Sequence, residues 1–319
     1  MTSTQTSQIK VNKGFVIAFF SAMVLSFTGI LIRMISENYQ LPALIIAFWR
    51  DTFVVLCALP LILILRPRIL AIDHKDLPFL LLFGAVLAFF NILWTLAVTL
   101  SGAAVATVLV YSSAGFTAVL GYFFLKEPLG WRKIIAVILC LAGCVFVSGA
   151  TQTGAWQNNP LGIITGLFSG LLYAVYSLMG RRATQKALNP WTTLFYSFLF
   201  AAVLLLTINI LPLGFLPASA NNSREMLMLG SEWRGWLLLI LLAAGPTLIG
   251  FGLYNTSLGL LHSSTANLIL TSEPVMTTIA AYFLLGERLS SQELFGSALI
   301  LLALILLRIM TIRQARKNR

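Results

Sequence analysis

The residue most able to do chemistry in this chain is a carboxylate set in the middle of an apolar run. Glu273 has about ten apolar or small residues on either side. In hydrocarbon such a group is costly unless it is paired, protonated or wetted. Pro274 follows at once and removes one backbone donor, which can open a helix beside a cavity. Two readings stand. Glu273 is a functional group that exchanges a proton or binds an amine, or it is a neutral buried acid bonded to a neighbouring helix. Arg50 and Asp51 form a second ionisable site, about two turns inside another apolar run. Successive helical side chains point about 100° apart, so the two are not expected to pair with each other. Arg50 is expected to snorkel to the interface. Asp51, too short for that, needs a partner from another helix or a wet cavity, and is a second candidate for ion coupling.

Around these lie polar and aromatic residues embedded in apolar runs: Asn91, Trp94, Tyr111, Tyr173, Tyr176, Tyr254, Asn255 and Asn267. Aromatic walls with a few polar groups suit an amphipathic small molecule. Singly, each residue reads as interhelical glue or an interfacial belt. As a set, and with Glu273, they are the candidate substrate contacts. Gly245-Pro246 interrupts another run and marks a kink or a hinge beside a cavity. Glu127 and Glu287 precede helix starts, where the macrodipole favours negative charge. Ser290-x-x-Glu293 reads as a capping box.

Other chemistries find little footing. The two histidines, His74 and His262, make no metal cluster with the three cysteines, Cys57, Cys140 and Cys144, which all lie in apolar runs without a Cys-x-x-Cys spacing. Cys140 and Cys144 share a helical face and read as packing residues. No phosphate-cradling glycine loop, His-Glu-x-x-His or catalytic dyad is present. The expectation is no enzyme, no cofactor and no metal. An intramembrane enzyme or a membrane receptor is the rival class.

The elements that must hold these residues are membrane helices. The chain is 59% hydrophobic and 10% charged, against about 25% charged in soluble domains. Apolar runs fall at about 15–35, 43–65, 77–98, 103–125, 132–150, 161–180, 191–213, 236–258, 263–285 and 292–311. Each is near the length of about 20 residues that a bilayer requires. The first run is too long for a signal-peptide core and reads as a retained helix. The longest connection, about 214–234, reads as a solvent-exposed loop. The net charge of +11 does not form a basic stripe with stacking aromatics, so nucleic acid is not the expected partner. If the N-terminus is cytoplasmic, sixteen Lys and Arg fall in cytoplasmic segments and four outside. That bias places both termini in the cytoplasm.

The two halves repeat. At an offset of 148, Gly14, Phe20, Ser21, Arg33 and Pro42 meet Gly162, Phe168, Ser169, Arg181 and Pro190. At 160, Ala106, Ser112 and Thr117 meet Ala266, Ser272 and Thr277, Trp94 meets Tyr254, and Leu125-x-Glu127-x-Leu129 meets Leu285-x-Glu287-x-Leu289. Glu273 meets Ser113, so the repeat does not demand a carboxylate there. Five spans is an odd number, so the second repeat inserts upside down, an arrangement common in secondary transporters. The expected organisation is a cytoplasmic tail over 1–13, a first five-helix repeat over 14–150, an outer loop over 151–160, a second repeat over 161–311 and a basic tail over 312–319.

The phrases Tyr122-Phe123-Phe124-Leu125-Lys126-Glu127-Pro128-Leu129 and Tyr282-Phe283-Leu284-Leu285-Gly286-Glu287-Arg288-Leu289, with Ser272-Glu273-Pro274-Val275 and Arg50, resemble the EamA-like branch of the drug/metabolite transporter superfamily over roughly residues 14–310. The first phrase has Lys126 where the family often has glycine. The resemblance implies an all-α integral membrane fold of ten transmembrane helices in two inverted five-helix repeats. It implies a central cavity lined mainly by spans 1, 3, 4, 6, 8 and 9, and no cofactor. The partners it implies are a small-molecule substrate and the lipid bilayer. Members move amino acids, other metabolites or drugs, often outward across the plasma membrane. The expected function is export of small amphipathic metabolites such as amino acids by alternating access, with proton coupling through Glu273 or Asp51. A multidrug or nucleotide-sugar carrier of the same fold is the alternative. Oligomeric state is left open.

Overall fold

In hydrocarbon every backbone N–H and C=O must be satisfied internally, and helices do this within one segment. The computed structural model describes residues 3–148, 150–151, 160–210, 225–227, 229–285 and 290–317, and the long elements among them are all helical. Eight stretches are long and apolar enough to cross a membrane. Two further crossings complete the ten, a 17-residue helix over Trp131–Val147 and a broken helix over 263–285.

The first span is α1 (Ser3–Leu25) and α2 (Phe27–Tyr39), jointed at Ser26. Next come α3 (Ala43–Leu65) and α4 (Leu77–Tyr111). Drawn straight, the 35 residues of α4 would reach about 52 Å, well beyond a bilayer core of about 30 Å. Instead α4 folds back. A Cβ added to Gly166 would lie 3.3 Å from Ala97 Cβ and 2.9 Å from Leu109 Cβ. A straight helix would hold those two residues about 18 Å apart. The limbs of α4 are therefore spans 3 and 4, and α5 (Ser113–Leu125) completes the latter. α6 (Trp131–Val147) closes the first repeat.

The second repeat starts with α7 (Pro160–Gln185) and α8 (Pro190–Ile210). Its third crossing is α9 (Trp233–Leu242), a π-helix over Ala243–Gly250 and α10 (Phe251–Leu260). Then come α11 (Ser263–Leu270), α12 (Glu273–Leu285) and α13 (Ser291–Lys317). The capping box forms as read: Ser290 N–H donates to Glu293 Oε2 at 2.6 Å and Glu293 N–H to Ser290 Oγ at 3.2 Å.

α7 packs into the fold of α4. Gly162 faces Ser101, and Tyr173 stacks on Phe90 at 5.1 Å between centroids. Small residues also permit a close crossing between α6 and α13. A Cβ on Gly143 would stand 2.7 Å from the Gly296 carbonyl oxygen, and one on Gly296 would stand 2.7 Å from that of Gly143. Lipid tails offer no hydrophobic drive between helices, so this backbone-to-backbone fit supplies the contact energy. Large apolar side chains such as Ile64, Phe123, Phe124 and Phe283 point out of the bundle.

Candidate functional site

Three helix interruptions meet at one cavity of about 470 Å³. Leu25, Thr28 and Gly29 line it from the joint in span 1, Thr247 and Phe251 from the π-helix and its exit, and Glu273, Pro274, Thr277 and Thr278 from the joint in span 9. Threonines hold the backbone where regular bonding lapses. Thr247 Oγ1 donates to Leu242 O at 2.8 Å, and Thr278 Oγ1 to Pro274 O at 2.8 Å. Thr277 Oγ1 reaches both Glu273 O and Ser26 O at 3.0 Å, so it ties the two joints together. Pro246 within the π-helix and Pro274 at the start of α12 account for two of the interruptions.

The sequence candidates divide into two layers. Asn91, Trp94, Tyr111, Tyr173 and Glu273 line the cavity. Tyr111 and Glu273 face the same cavity. Phe90 and Tyr173, stacked, form one wall. Tyr176, Tyr254, Asn255 and Asn267 are outside the lining and fully buried. They form a hydrogen-bonded layer next to it. Tyr254 Oη and Ser177 Oγ are 2.6 Å apart, Asn267 Nδ2 donates to Ser177 Oγ at 3.1 Å, and Ser113 Oγ donates to Asn267 Oδ1 at 3.2 Å. Asn255 Nδ2 donates to Tyr176 Oη at 3.2 Å.

Arg50 and Asp51 depart from expectation. They do pair: Arg50 Nε donates to Asp51 Oδ1 at 3.1 Å. Nor does Arg50 snorkel outward. It is 8% exposed and lines the cavity. A long side chain folds back along its own helix in a way that Cβ directions alone do not foretell. Asp51, fully buried, lies behind the lining, and Asn91 Nδ2 donates to its Oδ2 at 2.9 Å. Its partner from another helix is thus Asn91. Arg50 is the one base among the described lining residues, and Asp51 balances it. Glu273 has no such counterion in the lining.

Past the buried layer, Glu127 joins the two repeats. Its Oε1 accepts from Ser263 N at 2.6 Å and Ser263 Oγ at 2.8 Å. Its Oε2 accepts from Ser264 N at 3.2 Å and Ser264 Oγ at 2.6 Å. Glu127 therefore caps α11, in the other repeat, rather than the helix that follows it in sequence. Glu287 lies outside the described residues. Burial alone would raise the Glu127 carboxyl, but these hydrogen bonds outweigh it and hold it below the ordinary carboxylate range. Lys133 Nζ adds bonds to Ser264 Oγ and Pro128 O. The Glu127 cluster and the Asn267 layer thus stand one after the other along α11, ahead of Glu273.

A ten-span bundle of inverted repeats, with broken helices around an amphipathic cavity, defines a class: the membrane transporters. The EamA-like transporter family model matches residues 12–149 and 160–309, and the chain belongs to that family. It is 26% identical to an uncharacterized transporter of Synechocystis sp. over 70% of this chain and 64% of that one, so it spans somewhat less than two thirds of that relative. It is 24% identical to an S-adenosylmethionine uptake transporter of Rickettsia bellii over 80% of each. A solved crystal structure matches 95% of this chain and 99% of its own with a TM-score of 0.77 at 17% identity, which speaks for the fold alone.

Proposed function

We propose that this transporter exports small amphipathic metabolites, amino acids or close relatives, by alternating access across the plasma membrane, with both termini in the cytoplasm. One observation carries the reading. Among the described residues Glu273 has no counterion of its own, and it lines a cavity walled by Trp94, Tyr173 and Phe251, which suits an apolar body with a positive end. The same carboxylate can take a proton when the solute is absent, which gives a route to proton coupling. For the solute to pass, the polar layers along α11 must part, and the inverted repeats offer the alternative packing. The charge bias of the loops supports the orientation.

A second reading has its own support. The rickettsial relatives are named for uptake of S-adenosylmethionine, whose sulfonium and flat adenine would suit Glu273 and the aromatic walls. A nucleotide sugar fits less well, because its phosphates would meet one base already balanced by Asp51. The test is solute flux in liposomes of purified protein under an imposed pH gradient, with labelled amino acids and S-adenosylmethionine. Flux of an amino acid supports the first reading and flux of S-adenosylmethionine alone the second. No flux of either overturns both.

A further inference from the structure

We infer that the terminal guanidinium nitrogens of Arg50 form a carboxylate subsite, so that the solute is a zwitterion held by Arg50 at its acidic end and Glu273 at its basic end. The inference rests on the amino-acid reading of the cavity and narrows its substrate class. It starts from donors left over. A guanidinium offers five N–H donors in a fixed plane and stays charged at any working pH. Among the described residues Arg50 spends one donor, on Asp51 Oδ1. Its side chain is 10% exposed, and what exposure it has is to the cavity it lines. The four donors on its two terminal nitrogens have no protein partner among the described residues and face the cavity, free to take a ligand acceptor.

The surroundings fix that group. Asp51 is fully buried and holds Nε, and Asn91 holds the other Asp51 oxygen at 2.9 Å. Asp51 and Asn91 are positioning residues in this account. They set the guanidinium plane, and they let an empty cavity carry the positive charge without a bound anion. A solute carboxylate then takes two parallel hydrogen bonds from the free edge, the geometry in which arginine outperforms lysine. A neutral amide or a bare amine cannot make them. Two ionic contacts on one cavity also orient the solute, which Glu273 alone would not do.

The test uses purified full-length protein in detergent and two matched pairs, each differing by one carboxylate: L-phenylalanine with phenethylamine, and S-adenosylmethionine with its decarboxylated form. Binding is measured by calorimetry. In the unaltered protein the acid of at least one pair binds about tenfold or more tighter than its amine, in line with a charge-assisted bidentate contact. Arg50→Gln brings that ratio to within about twofold, through loss of affinity for the acid. The double change Arg50→Gln with Asp51→Asn does the same and leaves no buried charge unbalanced, so it serves where the single variant fails to fold. Arg50→Lys keeps the charge but loses the parallel pair, and falls between. An unaltered protein that binds acid and amine equally overturns the subsite and leaves the amphipathic-cation reading in place. A full ratio retained in either Arg50→Gln variant also overturns it. Binding of no member of either pair overturns the amino-acid reading, and the subsite with it.

Discussion

Glu273 and Ser113 are the same place in the two repeats. Each is the first residue of a helix that follows a joint, 160 residues apart. The joint therefore belongs to the repeat, and only the second copy carries a carboxylate there. Removing the charge while keeping hydrogen-bonding capacity should then spare the fold. We expect Glu273→Gln to insert normally, and its liposome flux to fall by more than about tenfold or to lose its pH dependence between about pH 5.5 and 8. Unchanged flux across that range would leave Glu273 as architecture. Trp94 lines the cavity, whereas Trp233 is exposed at the start of α9. Trp94→Ala should weaken solute binding by about 1–3 kcal/mol in titration calorimetry, and Trp233→Ala should not. Polar residues in apolar runs made Asn91, Trp94, Tyr111, Tyr173 and Glu273 legible as a set. Depth was not legible. Tyr173 and Tyr176 are less than one helical turn apart, yet one lines the cavity and the other lies in the layer next to it. Arg50 was misread because the direction of a Cβ does not fix the head of a four-bond side chain.

Interruptions within elements were legible where proline wrote them. Pro246 marks the π-helix and Pro274 the joint before α12. The joint at Ser26 has no such mark. The chain reads as continuous apolar sequence there, and the break is held by Ser26 Oγ on Met23 O and by Thr277 from 251 residues away. The capping of α11 by Glu127 was hidden for the same reason, since the partners lie 136 and 137 residues apart. Glu127→Ala leaves the donors of Ser263 and Ser264 without their acceptor. It should lower stability by about 1–3 kcal/mol in a detergent unfolding assay. The pH dependence has a definite sign. The Glu127 carboxyl is held below its ordinary value of 4.5, so its contribution is complete above that value and is lost as pH falls through the lowered one. Scans that show equal acid sensitivity in the unaltered protein and Glu127→Ala would contradict this. At the other close contact, Gly296→Val drives a side chain into the α6 backbone. The melting temperature should drop, with loss of about 1–3 kcal/mol; an unshifted melt would mean that α6 and α13 can part freely.

For the whole molecule, hydropathy and the two offsets were enough to read ten spans in inverted repeats, because a bilayer dictates helix length and an odd repeat dictates inversion. Two crossings depart from a single long helix in the structure although each reads as one apolar run in the sequence. α6 has only 17 residues, and span 9 is cut in two. Orientation is open to direct test. In a background with Cys57, Cys140 and Cys144 replaced, Asn38→Cys should react with an impermeant reagent added to intact cells, while Asp73→Cys and Gln185→Cys should react only after permeabilisation. All three native residues are exposed in the structure. Labelling of the latter pair in intact cells would reverse the proposed topology. The folded-back α4 bears on how such a molecule can move. Its limbs turn within one helical element, so spans 3 and 4 are joined directly at one bend. Trp94 stands on one arm and Tyr111 on the other. In the proposed alternating-access cycle, a swing of either arm would carry both aromatic rings together, with the solute between them.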